Sequence, residues 1–123
     1  MRFYKGATNT GTHVGNLWSS SGKLLGSVTF TNETSSGWQQ ATFATPIAIS
    51  AKTTYVVSYH TNTGYYASTS PGLAAAVNTP PLHALASGAA GGNGVYIYKS
   101  TSGFPTQTYN SSNYWVDVVF KTQ

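Results

Sequence analysis

Turn residues interrupt this chain at short intervals, and that punctuation constrains its fold more than any other feature. Asn9-Thr10-Gly11, Ser20-Ser21-Gly22, the stretch from Asn32 to Gly37, Asn62-Thr63-Gly64 and Ser102-Gly103 combine glycine with small polar neighbours. Such residues supply the positive φ angles and local side-chain hydrogen bonds that tight turns need. The runs between them are rich in β-branched and aromatic residues. They predict strands near 2–5, 13–18, 23–30, 38–44, 46–50, 53–61, 64–68, 94–99 and 114–121. A spacing of about 8–12 residues between turns is that of an all-β sandwich or barrel.

Alternation along the runs supplies the faces. Tyr55, Val57 and Tyr59 share one side of their strand, and Val56, Ser58 and His60 share the other. In the last run Tyr114, Val116, Val118 and Phe120 face one way and Trp115, Asp117 and Val119 the other. One apolar and one mixed face per strand is the pattern of a sheet packed on one side. Tyr55, Tyr59, Tyr114 and Phe120 are therefore expected in the core, as are Trp18 and Trp38. Residues 72–92 break the pattern, being Ala/Gly-rich around Pro80-Pro81. The prolines exclude a long helix there, so a long ordered loop near 70–93 is expected. The whole of 1–123 reads as one antiparallel β-sandwich of jelly-roll type. Arg2-Phe3-Tyr4 reads as a strand already under way, which predicts an open sheet edge beside 2–5. Such an edge would allow homo-oligomers through edge pairing or strand exchange.

Composition narrows the chemistry. Charged residues make up 7% of the chain, against about 25% in an average soluble domain. The carboxylate side chains are two, Glu33 and Asp117, and there is no Cys. Thiolate metal sites, iron–sulfur clusters, Cys nucleophiles and disulfides are excluded. Glycoside hydrolysis needs two facing carboxyls, and nothing in the pattern brings Glu33 and Asp117 together. No Gly-x-Ser-x-Gly turn is present, so His60 and Asp117 have no serine marked as their nucleophile, and no enzyme is expected. His13, His60 and His83 lack the close spacing of a zinc motif. No cofactor is expected. A structural calcium held by backbone carbonyls and Asp117 is the remaining metal option and is not favoured, since two isolated acids make a poor hard-ion cage. The net charge of +4 comes from few acids, and the six bases are scattered singly. That distribution lacks the basic stripe of a nucleic-acid site. No apolar run approaches the roughly 20 residues of a membrane span. Met1 to Gly6 has no apolar h-region, so an export signal is expected to lie outside this sequence.

Binding is what the residues favour. Ser (15) and Thr (18) give 33 hydroxyls, beside 3 Trp and 9 Tyr. Indole and phenol rings stack on apolar sugar faces while their polar atoms hydrogen-bond, and low charge suits a neutral polyol. Trp115 is the leading candidate, because its opposite-face neighbours already supply a core side. Asp117 and Asn113 flank it, His60 projects from the mixed face of its strand, and Tyr66, His83 and Tyr96 complete the candidate set. His60 and His83 read equally well as structural histidines, Asp117 as a loop cap, and Tyr96 with Tyr98 as packing residues.

Several phrases together carry a resemblance. They are Arg2-Phe3-Tyr4-Lys5-Gly6, His13-Val14-Gly15-Asn16-Leu17-Trp18, Gly37-Trp38-Gln39 and Thr54-Tyr55-Val56-Val57-Ser58-Tyr59-His60. Pro81-Leu82-His83-Ala84-Leu85, Asn93-Gly94-Val95-Tyr96 and Asn113-Tyr114-Trp115-Val116-Asp117-Val118-Val119-Phe120 follow. In this order they resemble the bacterial family of domains of unknown function numbered forty eighty-two. The resemblance implies a module of large secreted proteins, found beside immunoglobulin-like or fibronectin-like domains and in some carbohydrate-active enzymes. It implies one or two further strands ahead of the Arg2–Gly6 phrase, and it carries over no catalytic residues. The resulting expectation is an extracellular or cell-surface accessory module, non-catalytic, that binds a polysaccharide. The alternative is a structural or adhesive spacer of a surface protein.

Overall fold

The computed structural model describes residues 1–122. It is an all-β sandwich with no helix among the described residues. The first five strands are β1 (Arg2–Lys5), β2 (His13–Ser19), β3 (Leu24–Thr29), β4 (Gly37–Gln40) and β5 (Tyr55–Thr61). The rest are short: β6 (Val77–Thr79), β7 (Leu82–Ala84), β8 (Val95–Tyr96), β9 (Gln107–Thr108) and β10 (Val116–Asp117). One antiparallel sheet runs β10-β1-β4 and a second runs β3-β2-β5.

The core fills the space between these sheets. Met1, Phe3 and Phe30 are buried at its centre, with Val28, Ala41, Phe43, Val57, Tyr59, Val116 and Val118 packed against them. Phe3 is fully buried. Its ring stacks on Tyr59 at 4.5 Å and meets Phe30 edge-on at 4.8 Å. Those geometries are the favoured ones for aromatic quadrupoles. Burying one such ring contributes about 1.5–3 kcal/mol. The inward turn of Val57, Tyr59, Val116 and Val118 is what the alternation predicts.

The structure corrects several expectations. The last run pairs only over Val116–Asp117. Trp115 has φ +54°, a left-handed conformation that an extended strand cannot contain. Phe120, expected in the core, lies beyond the short strand and is 37% exposed. No strand forms at 46–50 or 64–68. The expected loop near 70–93 is ordered and holds a hairpin, β6 with β7, turning at Pro80-Pro81. The edge beside 2–5 is not open, because β1 pairs with β10 on one side and β4 on the other.

An open edge lies instead on β5. His13 accepts from Phe30 on the β3 side, so alternation directs Val14, Asn16 and Trp18 toward β5. Their partners are His60, Ser58 and Val56. The backbone groups of Tyr55, Val57, Tyr59 and Thr61 consequently face away from β2. They have no backbone partner on that side among the described residues.

Candidate functional site: an outward aromatic face

The outer face of the β10-β1-β4 sheet is set by Gln39. This side chain is buried, and its amide holds the preceding turn. Its Oε1 accepts the Thr34 N–H at 2.9 Å, and its Nε2 donates to Thr34 Oγ1 at 2.7 Å and to the Gly37 carbonyl at 3.1 Å. A two-residue period then obliges Trp38 to point outward. Trp38 is 44% exposed and not in the core as expected, whereas Trp18 is buried as expected.

Trp38 lies directly across from Tyr4 in the ladder. Their rings meet edge-on at 5.7 Å. Trp115 approaches from the β10 side and meets Trp38 edge-on at 6.4 Å and 85°. Local hydrogen bonds fix it. Its N–H donates to Asn113 Oδ1 at 2.8 Å, its Nε1–H donates to Thr69 Oγ1 at 2.9 Å, and its carbonyl accepts the Tyr4 N–H at 2.9 Å. The indole is 37% exposed. The Arg2 guanidinium sits over the Trp38 ring, 4.7 Å from its centroid, within cation–π range. Arg2 pairs in register with Gln40 on one side and Asp117 on the other. Asp117 is exposed, and its Oδ1 accepts the Val118 N–H at 2.7 Å.

Of the residues singled out from the sequence, the structure brings Trp115, Asp117 and Asn113 together here. Asn113 orients the Trp115 backbone. Tyr66 and Tyr96 belong to a second aromatic group, meeting Tyr114 at 5.4 and 6.3 Å. Tyr98, 77% exposed, lies beside Tyr96 at 5.5 Å. His60 is on the other sheet, where its Nε2–H donates to the Lys99 carbonyl at 3.0 Å. His83 is in the hairpin, 2.8 Å from its cross-strand partner Asn78. The candidates therefore divide among four places. Sequence reasoning missed Tyr4, Trp38 and Arg2. The signal was present in the turn before Gly37, whose polar groups need a buried amide from the residue after Trp38.

The two carboxylates occupy different environments. Glu33 is clamped inside, at the Lys5 end of β1. It accepts from His13 Nδ1 at 2.9 and 3.0 Å and pairs with Lys5 Nζ at 3.2 Å. His13 Nε2 lies 2.8 Å from Asn9 Oδ1. Asp117 lies across from Arg2 at the other end of β1. Three strand steps separate those ends, roughly 10 Å, and the two carboxylates are on opposite faces. Among the described residues no group of three or more His, Asp or Glu side chains is placed to hold a metal ion.

The fold and this face define an all-β sandwich module with an aromatic surface on one sheet. The chain belongs to the family described as "Domain of unknown function (DUF4082)", whose model matches residues 1–116. No match was found among curated proteins or among solved structures.

Proposed function

We propose that this domain is a non-catalytic accessory module of a secreted or cell-surface protein and that it binds a polysaccharide. The observation that carries the reading is the trio of Tyr4, Trp38 and Trp115 on one exposed sheet face. These rings, set edge to face on one side of the sheet, offer an exposed apolar relief, with Gln40, Asp117 and Arg2 beside it as hydrogen-bonding groups. Pyranose rings need that combination. The separation of Glu33 from Asp117 supports the non-catalytic part, because paired-carboxylate hydrolysis needs the two across one bond.

Affinity electrophoresis through gels containing soluble polysaccharides tests the reading. Retardation by at least one polymer is expected, and Trp115→Ala should abolish it while the thermal transition is retained. Undiminished retardation of Trp115→Ala removes the platform. Passage of the parent domain unretarded through every polymer removes the function.

A second reading, a self-associating spacer, is favoured by the free edge of β5. Tyr55 to Thr61 and Val95 to Gly103 line the same open groove. Unpaired strand edges pair readily with other chains. Light scattering after size exclusion decides between the readings: dimers abolished by Val57→Pro with the thermal transition retained support the spacer, and a strict monomer of the parent domain opposes it.

A further inference from the structure

We infer that the polysaccharide bound by the aromatic face is acidic, with a carboxylate on its sugar rings, and that Arg2 is the residue that receives it. The inference deepens the reading above and rests on it.

Strand β1 carries two cations, Arg2 and Lys5, and the protein treats them differently. Lys5 points inward and is given a carboxylate, Glu33, at 3.2 Å. It also donates to the Thr34 carbonyl at 3.1 Å. Arg2 points outward. The ion pairs among the described residues all involve Glu33, so Arg2 has none. Its cross-strand neighbour Asp117 lies outside ion-pairing distance and has Oδ1 committed to the Val118 N–H. The guanidinium is nevertheless held in place, over Trp38. A guanidinium positioned by stacking is planar, always charged and ready for bidentate contact, so little ordering cost remains when a carboxylate arrives. The aromatic surface beside it would take the ring to which that carboxylate is attached.

The charge balance of the surface agrees. Lys5 and Glu33 neutralise each other beneath it. What remains is Arg2, Lys23, Lys52, Lys99 and Lys121 against Asp117, five cations to one anion. The lysines are scattered and exposed. They make no site of their own, but they attract a long polyanion at moderate ionic strength. A neutral polyol, which the low charge content of the sequence suggests, would leave Arg2 unused.

Polygalacturonate and its fully methyl-esterified form share a backbone and differ in the carboxylate, so they are the probes. The acid form should retard the domain about tenfold more strongly in affinity electrophoresis, as one charge-assisted bidentate pair would give. Its advantage should shrink as salt rises from low to high ionic strength. Arg2→Gln should reduce the acid form to the level of the ester. Arg2→Lys should restore part of the preference, since charge returns without the planar fork. Asp117→Asn, which removes the nearby anion and keeps an oxygen for Val118, should strengthen retardation by the acid form severalfold.

Equal retardation by both polymers, lost in Trp115→Ala, overturns the acidic-ligand inference and leaves the glycan-binding reading standing. A preference that survives Arg2→Gln assigns the effect to the scattered lysines and overturns the role of Arg2. No retardation by either polymer, with a neutral glucan retarding the domain, also overturns the inference. Failure with all three polymers counts against the parent reading itself.

Discussion

Residues 1–61 and residues 64–122 hold themselves together differently. The first region has strands of four to seven residues, with Phe3, Phe30, His13 and Tyr59 packed as rings between two sheets. The second has strands of two or three residues, and its one buried large apolar side chain is Leu73. Apart from Val116 and Val118, which join the core of the first region, its order comes from backbone bonds such as Leu73 N–H to the Ser111 carbonyl at 2.8 Å and from polar side chains bonded to backbone. Asn93 Nδ2 donates to the Leu85 carbonyl at 2.6 Å, its Oδ1 accepts the Gly94 N–H at 2.8 Å, and Ser112 Oγ donates to the Tyr109 carbonyl at 2.8 Å. The difference teaches that a chain this rich in Ser, Thr and Asn can be ordered without a deep core wherever its backbone groups find side-chain partners.

The strongest way to break this comparison is to remove the one charged cluster of the first region. Glu33→Gln leaves Lys5 with no carboxylate and His13 with a neutral neighbour. A loss of about 3–5 kcal/mol in chemical denaturation is expected, as for half of a buried ion pair. A loss below about 1 kcal/mol would mean the cluster is hydrated and tied to the surface.

A smaller effect is expected at Gly94. Its φ is +74°, and a Cβ there would run into the Ser112 carbonyl. Gly94→Ala should cost about 2–3 kcal/mol through strain and a displaced contact. Hydrogen exchange should quicken over 85–113 and stay unchanged in β1 and β2 if the regions open separately. Uniform acceleration would show that they unfold as one unit and would end the comparison.

The smallest effect sharpens it. The Tyr59 hydroxyl is buried with no hydrogen-bond partner. Burial, with a smaller contribution from Tyr66, pushes its pKa from 10.0 up to about 12. The folded state resists ionisation more than the unfolded one. Full stability therefore holds below pH 10 and declines as pH rises from 10.0 to about 12. Tyr59→Phe should stabilise the domain by up to about 1 kcal/mol at neutral pH, since it removes an unsatisfied polar group. It should also lessen the alkaline decline, measured as melting temperature against pH. A destabilised variant would reveal a partner for the hydroxyl.

The same contrast explains what could be read from the sequence. Strands β1, β2, β3 and β5 were legible because period-two alternation and glycine turns act locally. The inward Val116 and Val118 were legible for that reason too. Trp38 was not, because its direction depends on Gln39 filling a turn with polar contacts, and an amide reads as a surface residue. The short extent of β10 was hidden in the left-handed Trp115, a conformation for which a Trp gives no sequence signal. The β6–β7 hairpin was hidden by prolines that usually mark loops. The candidate site was half legible: Trp115, Asp117 and Asn113 share one run, whereas Tyr4, Arg2 and Trp38 join it only through pairing across β1.

Phe3 and Tyr4 are consecutive residues, one sealed in the interior and the other on the outer face. Any guest that lands on Tyr4 therefore touches the chain one peptide away from its least yielding point. Free and occupied forms should superpose closely, and the entropy lost on capture should fall on the guest's own linkages. How long a guest stays would then be governed by how stiff it is.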